Sequence, residues 1–430
     1  MLAPIVKKVL PNGLLVLLKE IHTAPLISQW IWYRVGSRDE KPGTTGISHW
    51  VEHMQFKGTP QFPGNVLDKQ ILRAGGLWNA FTYMDWTAYF ETMPVEKIDL
   101  VMRLEADRMQ NSLFEPKEVE SERMVIISER QGAENEPLFR LNEALHKAAF
   151  EVHPYRQDVI GEMDDLKKIT RQDLYRHYRT YYVPDNSVLA LAGDFDAKIM
   201  LERLSDLYAH IPAGGGLARQ DLREPSQTHE RRMTIEGQGE TTYIMTCWHV
   251  PTATHPDFWP LTVLDSLLTG PSSPSIIGGG ISNKTSILYQ ALVERDLVVN
   301  VSGGLQSTID PFLYVITMIV HPERRVNDVI SALDDEIHRL LDSPPSESDV
   351  ARAVKQARAL FAFGSESITN QAAWLGYAEM FASYEWYTSY LDNLAGVTPN
   401  QVQRVAQTYF CPEKRVLGTY LPTGSSVGSV

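Results

Sequence analysis

An internal repeat constrains this chain more than any other feature. Residues 169–189 align on residues 397–417 without a gap, at a constant offset of 228. Seven positions are identical in the two copies: Thr170/Thr398, Arg176/Arg404, Thr180/Thr408, Tyr181/Tyr409, Pro184/Pro412, Val188/Val416 and Leu189/Leu417. Each copy reads as an amphipathic helix, a Tyr-aromatic-x-Pro break and an apolar strand. An offset close to half of 430 residues implies one fold used twice. The stretch 211–225 is poor in large apolar residues and carries three glycines and two prolines, as suits a linker. The expected division is therefore 1–212, a linker over 213–227, and 228–430.

Within each half, strands precede helices. Residues 9–18 hold two apolar runs around Pro11-Asn12-Gly13, the pattern of a hairpin, and Leu26–Val35 is rich in β-branched and aromatic residues. Helical periodicity follows from Ile47 to near Gly58, over 98–113, from Pro116 to about Arg130, and over 138–150. The second half restarts with strand-like runs at 232–236 and 241–250. This order predicts an α+β fold in which each half is a mainly antiparallel sheet with helices packed on one face.

Composition excludes several classes of function. With 40 basic against 53 acidic side chains the formal charge is −13, and no Lys/Arg-rich block occurs, which argues against nucleic acid. No run of about 18 apolar residues is present, so no membrane span is expected. Cys247 and Cys411 are too few for a disulfide framework and read as buried free thiols. The first residues lack the order of a secretory signal. The expected location is soluble: cytoplasmic, or periplasmic if a signal peptide was removed before residue 1. The loop 270–284 lacks the Gly-Lys-Ser/Thr of a phosphate-binding loop and reads as a flexible surface loop near the substrate path. Gly-x-Ser-x-Gly is absent, which gives a serine hydrolase little support.

The strongest chemical signal is Gly46-Ile-Ser-His49-Trp50-Val51-Glu52-His53-Met54. On a helix, His49 and His53 lie one turn apart on one face and Glu52 joins them. Two imidazoles so placed can share one zinc ion, with a neighbouring carboxylate to deprotonate a water. The order His-x-x-Glu-His is the inverzincin arrangement. A third protein ligand is needed, and the best candidates are acidic. In Glu122-Arg-Met-Val125-Ile126-Ile-Ser-Glu129 the two carboxylates flank Val125 and Ile126 on one apolar helical stripe, where an unpaired charge is costly. A metal would compensate them; Arg123 and Arg130 are alternative partners.

These residues resemble the pitrilysin/insulin-degrading enzyme/mitochondrial processing peptidase family of zinc peptidases, across essentially the whole chain. That family pairs His-x-x-Glu-His with a ligand Glu 76 residues after the second His, which falls on Glu129, and with a supporting Glu seven residues earlier, Glu122. Further matches are His53-Met-Gln-Phe-Lys-Gly-Thr59, Gly75-Gly-Leu-Trp-Asn-Ala-Phe-Thr82, His153-Pro-Tyr155 and Tyr182-Val-Pro-Asp-Asn186. The resemblance implies a zinc endopeptidase acting on peptides or unfolded segments. His49, His53 and Glu129 would bind one Zn2+, Glu52 would be the general base, and Glu122 would orient a ligand histidine. Asn79 and Ala80 would receive the substrate as an added strand.

One segment departs from the family's pattern. Where active second halves carry an Arg and a Tyr, this chain has Val293 and Asn300. In the two-chain branch of the family the zinc ligands and the Arg/Tyr pair sit on different subunits. The expected partner is therefore a homologous subunit supplying that pair, with a homodimer as the alternative. The rival from another class is a non-catalytic core-type subunit of the same superfamily. The intact set of His49, Glu52, His53 and Glu129 weighs against it.

Overall fold

The computed structural model describes residues 4–217, 219, 221–271 and 284–423. Most of the loop read at 270–284 thus lies outside the described residues. The chain forms two compact units. The first comprises Met1–Gln131, Gln157–Asp221 and Ser365–Tyr387, and the second comprises Gly132–Arg156, Leu222–Gly364 and Thr388–Val430. These units do not coincide with the two sequence halves, because each half lends a segment to the other's unit.

The first unit is built on six strands: β1 (Ile5–Val9), β2 (Leu15–Glu20), β3 (Leu26–Tyr33), β4 (Leu77–Thr82), β5 (Thr87–Pro94) and β6 (Ser187–Gly193). They lie in the order β1-β2-β6-β3-β5-β4, with β2 and β6 parallel and every other pair antiparallel. The second unit holds β7 (Arg231–Gly237), β8 (Tyr243–Val250), β9 (Val298–Gly304), β10 (Phe312–Val320) and β11 (Arg415–Pro422), in the order β7-β11-β8-β10-β9. Here β7 and β11 are the parallel pair. With β1 set aside, the two sheets have the same strand order and the same sense at each pairing. The duplication read from the sequence is thus the duplication of a sheet topology.

The repeat falls on equivalent elements. Numbered along the chain, the helices of the first unit are α1 (Ile47–Met54), α2 (Gly64–Arg73), α3 (Ile98–Asn111), α4 (Pro116–Glu134), α6 (Met163–Leu166), α7 (Arg171–Tyr181), α8 (Ala197–Tyr208), α12 (Ile368–Phe381) and α13 (Tyr384–Thr388). Those of the second are α5 (Pro137–Ala149), α9 (Phe258–Thr269), α10 (Val326–Asp342), α11 (Glu347–Gly364), α14 (Tyr390–Ala395) and α15 (Pro399–Tyr409). Both α7 and α15 open on capping boxes, Thr170 with Asp173 and Thr398 with Gln401, which satisfy orphan N–H groups of the first turn. Each then runs through a single 3-10 turn into its strand, β6 or β11.

The helices covering the second face of each sheet are exchanged. α12, encoded in the second half, packs on β2, β3 and β6; α5, encoded in the first half, packs on β7, β8 and β11. α12 is apolar around most of its circumference, because it fills a floor of stacked rings that includes Trp30, Trp32 and Phe90. Its Gly376 sits against Trp32, where a Cβ would lie 2.1 Å from Nε1. The other face of the first sheet carries the main core, with Ile31, Tyr33, Trp50, Val51, Tyr89, Leu104 and Leu174 fully buried. Within it lies an ionic cluster: Arg108 Nε donates to Glu105 Oε2 at 2.8 Å and its Nη2 to Glu91 Oε1 at 3.3 Å, all three side chains being shut off from water. Of the two thiols, Cys247 is buried as expected, whereas Cys411 is half-exposed.

Candidate metal centre

The site starts from how α1 begins. Gly46 caps it with φ 85°, and a Cβ there would lie 2.4 Å from the Ile160 carbonyl oxygen, so the position needs glycine. The first-turn amides are met by a buried carboxylate: Gly46 N–H donates to Glu40 Oε2 at 2.8 Å and Ser48 N–H to Oε1 at 2.9 Å. Burial pushes the Glu40 carboxyl up to about 7 against the pull of those two donors. Ile47, Trp50, Val51 and Met54 turn into the core. That pins the helix and leaves His49, Glu52 and His53 together on its other side.

α4 supplies the carboxylates. Val119 and Ile126 are buried and seat this helix, and Glu122 is 5% exposed. The stripe expected around them is only half apolar: Val125 is 41% exposed, and Glu129 is likewise exposed. A residue one position from Ile126 has turned outward because the core meets a narrower face of α4 than the sequence spacing suggested. Arg123 does not serve Glu122. It pairs with Glu120, donates to the Leu166 and Ile169 carbonyls, and lies 4.7 Å from the centre of the Trp50 ring.

His49, His53 and Glu129 each offer a ligand atom, and these three atoms lie within 4.8 Å of one another. The two Nε2 atoms are 3.2 Å apart, and His53 Nε2 is 3.7 Å from Glu129 Oε2. His53 Nδ1 is 2.8 Å from Glu122 Oε1. Since a carboxylate only accepts, this contact assigns the proton to Nδ1 and leaves the Nε2 lone pair facing His49. His49 Nδ1 is buried without a partner among the described residues. Burial, then the neighbouring His53, pushes the His49 imidazole down to about 4, so it stands neutral at pH 7. Two imidazole nitrogens turned toward each other beside a carboxylate repel unless a proton or cation lies between them. Two imidazoles and a carboxylate form the donor set of a zinc site, so the residues fit the metal.

The surrounding groups are tuned by burial and pairing. Burial works to lower His53, but Glu122, Glu129 and Glu52 outweigh it and hold this imidazole above its usual range. Burial raises the Glu52 carboxyl, and the Thr82 hydroxyl and N–H, which donate to it, only partly offset this. Burial raises Glu122 too, yet the bonds from His53 and from Lys57 more than cancel it and the carboxyl ends below its ordinary value. Lys57 was not singled out in the sequence, although its place one turn beyond His53 was the available signal.

Asn79 and Ala80 lie on β4, the edge strand beyond β5, with Asn79 exposed and Ala80 buried. Val293 ends a short π-helical turn, Tyr289–Val293, and is half-buried; Asn300 is exposed on β9, the edge strand of the second sheet.

Comparison with known proteins agrees with this picture. Residues 15–162 match the family model described as insulinase (peptidase family M16), and residues 168–357 match that of the peptidase M16 inactive domain. An uncharacterized zinc protease of Streptomyces coelicolor is 25% identical over 405 residues, covering 93% of this chain and 85% of that protein. The mitochondrial-processing peptidase subunit beta of Lentinula edodes is 25% identical over 422 residues, covering 96% and 88%. Among solved structures, a protease from Helicobacter pylori superposes with a TM-score of 0.91 at 24% identity, covering 98% of this chain and all of that one. No helix among the described residues is long and apolar enough to cross a membrane.

Proposed function

Because this chain belongs to peptidase family M16, we propose that it is a zinc-dependent endopeptidase acting on peptides or unfolded segments. The observation that carries this reading is the convergence of His49, His53 and Glu129 with Glu52 on the same helix as the two imidazoles. His49, His53 and Glu129 would hold the zinc ion, which when bound would supply Lewis-acid activation of water and of the scissile carbonyl. Glu52 takes the proton from the attacking water on a carboxylate oxygen and returns it to the leaving amine nitrogen. Glu122 accepts from His53 Nδ1–H and so fixes which nitrogen faces the metal. A substrate in extended form adds to the open edge of β4 beside Asn79 and Ala80, read through its backbone.

The second half, 228–430, joined to 1–212 through 213–227, would complete the substrate chamber; among the described residues it holds no cluster of metal ligands. With Val293 and Asn300 at the positions expected for Arg and Tyr, the oxyanion-holding pair comes from a homologous partner subunit. The family relative from Lentinula edodes is itself named as a subunit, which favours that arrangement over a homodimer. The test compares wild type with Glu52→Gln for zinc content and peptide cleavage, alone and with any co-purifying subunit. Zinc retained in both and cleavage lost in the variant by about 100-fold or more is expected. Full cleavage by Glu52→Gln refutes the mechanism, and equal activity of the lone chain and the complex refutes the partner.

A further inference from the structure

Lys57 sits just past the end of α1, where Gly58 (φ 96°) reverses the chain; a Cβ on Gly58 would lie 2.3 Å from the Gly64 nitrogen. The turn is tight, with Lys57 N–H bonded to the Met54 carbonyl at 3.1 Å, and it delivers the ammonium to Glu122. Among the described residues the two carboxylate oxygens of Glu122 thus have one partner each: Oε2 holds Lys57 Nζ and Oε1 holds His53 Nδ1. The Glu122 side chain is 7% exposed, so little water could replace a lost partner. An oxygen left bare there is costly, and a carboxylate with one partner removed is free to turn about its last torsion.

We propose that Lys57 is a positioning residue for zinc: by anchoring Oε2 it fixes the plane in which Oε1 accepts from His53, and so keeps His53 Nε2 aimed at His49 and Glu129. The inference rests on the metal-site reading above. It also opposes the effect of charge alone, because an ammonium near a dication repels it and its removal would tighten zinc binding. Positioning and simple electrostatics therefore predict changes of opposite sign.

The experiment measures zinc affinity of the full chain by competition with a chromogenic chelator. The proteins are wild type, Lys57→Met, Lys57→Arg, Glu122→Gln and the double variant Lys57→Met/Glu122→Gln. Loss of an outer partner of a metal ligand weakens affinity by roughly 10–100-fold, and Lys57→Met is expected at about tenfold. Lys57→Arg keeps a charged donor and stays within about twofold of wild type. In the Glu122→Gln background, Lys57→Met changes affinity by less than about twofold, since its route to the metal is already cut. A general structural role would instead reduce affinity in both backgrounds. Unchanged or tighter zinc binding by Lys57→Met, or the same loss with Gln at 122, overturns the proposal alone. A wild-type chain that binds no zinc overturns the metal-site reading and this inference with it.

Discussion

Replacing Arg108 by Met removes the cation from the ionic cluster under the first sheet. Arg108 is 2% exposed, and Glu91 and Glu105 are each fully buried. The guanidinium holds Glu105 through Nε at 2.8 Å and Glu91 through Nη2 at 3.3 Å, and it lies 4.3 Å from the centre of the Tyr89 ring. Glu91 would keep only a long bond from Gln29 Nε2, at 3.5 Å, and its contact with Glu105, neither of which supplies a cation. Breaking a buried pair from one side costs about 3–5 kcal/mol. For a cooperative unit of about 220 residues that corresponds to a melting-temperature loss of roughly 6–20 °C. The pH dependence has a definite sign. Burial, and after it Glu105, hold the Glu91 carboxyl well above its ordinary range, so the native state keeps protons that the unfolded chain releases. Such a group favours the native state at acid pH and loses that contribution as pH rises. Without the guanidinium the effect grows, so the gap between wild type and Arg108→Met is smallest near pH 4 and widens toward neutrality. Thermal melts from pH 4 to 8 measure it, and Glu91→Leu/Glu105→Leu/Arg108→Met should recover most of the loss. A penalty below about 1 kcal/mol, or a gap that widens on acidification, refutes the reasoning.

Two further outcomes concern packing and capping. Gly376→Val on α12 drives a side chain into Trp32 and should cost about 1–3 kcal/mol, read as a lowered urea midpoint with the same slope. Glu40, held up at about 7, favours the native state at acid pH and loses about 3 kcal/mol between pH 4.5 and 7. Glu40→Gln should flatten the stability–pH curve over that window, and an unchanged slope speaks against the assignment.

Much of this was readable in the residues. The gapless copy of Thr170–Leu189 at Thr398–Leu417 announced two sheets of one topology, because capping residues, a proline break and a strand in register are local signals. His49, Glu52 and His53 were legible for the same reason, since one helical turn fixes their spacing. Glu129 needed the family's spacing to be chosen as a ligand, because the helical stripe put Glu122 forward equally and left Arg123 and Arg130 as alternative partners. What stayed hidden is non-local. The outward turn of Val125, the ion pair between Lys57 and Glu122, and the burial of Glu91 with Glu105 and Arg108 depend on which elements meet. The exchange of α5 and α12 left one trace: the stretch 368–381 lacks a polar face, which marks a helix with packing on several sides.

That exchange bears on how a duplicated chain of this kind can hold together. A lone half would present the Trp30–Trp32–Phe90 floor to water, because α12, the helix that covers it, is encoded in the other half. Only a second copy could lend the missing lid, at a concentration set by the solution. Fusing the copies turns that bimolecular encounter into an intramolecular one, with an effective concentration of the order of millimolar. The same logic makes the peptide bond between copies dispensable once folding is complete. A cut in 213–227 would sever the backbone there, yet each fragment would still keep its helix lodged on the other's sheet.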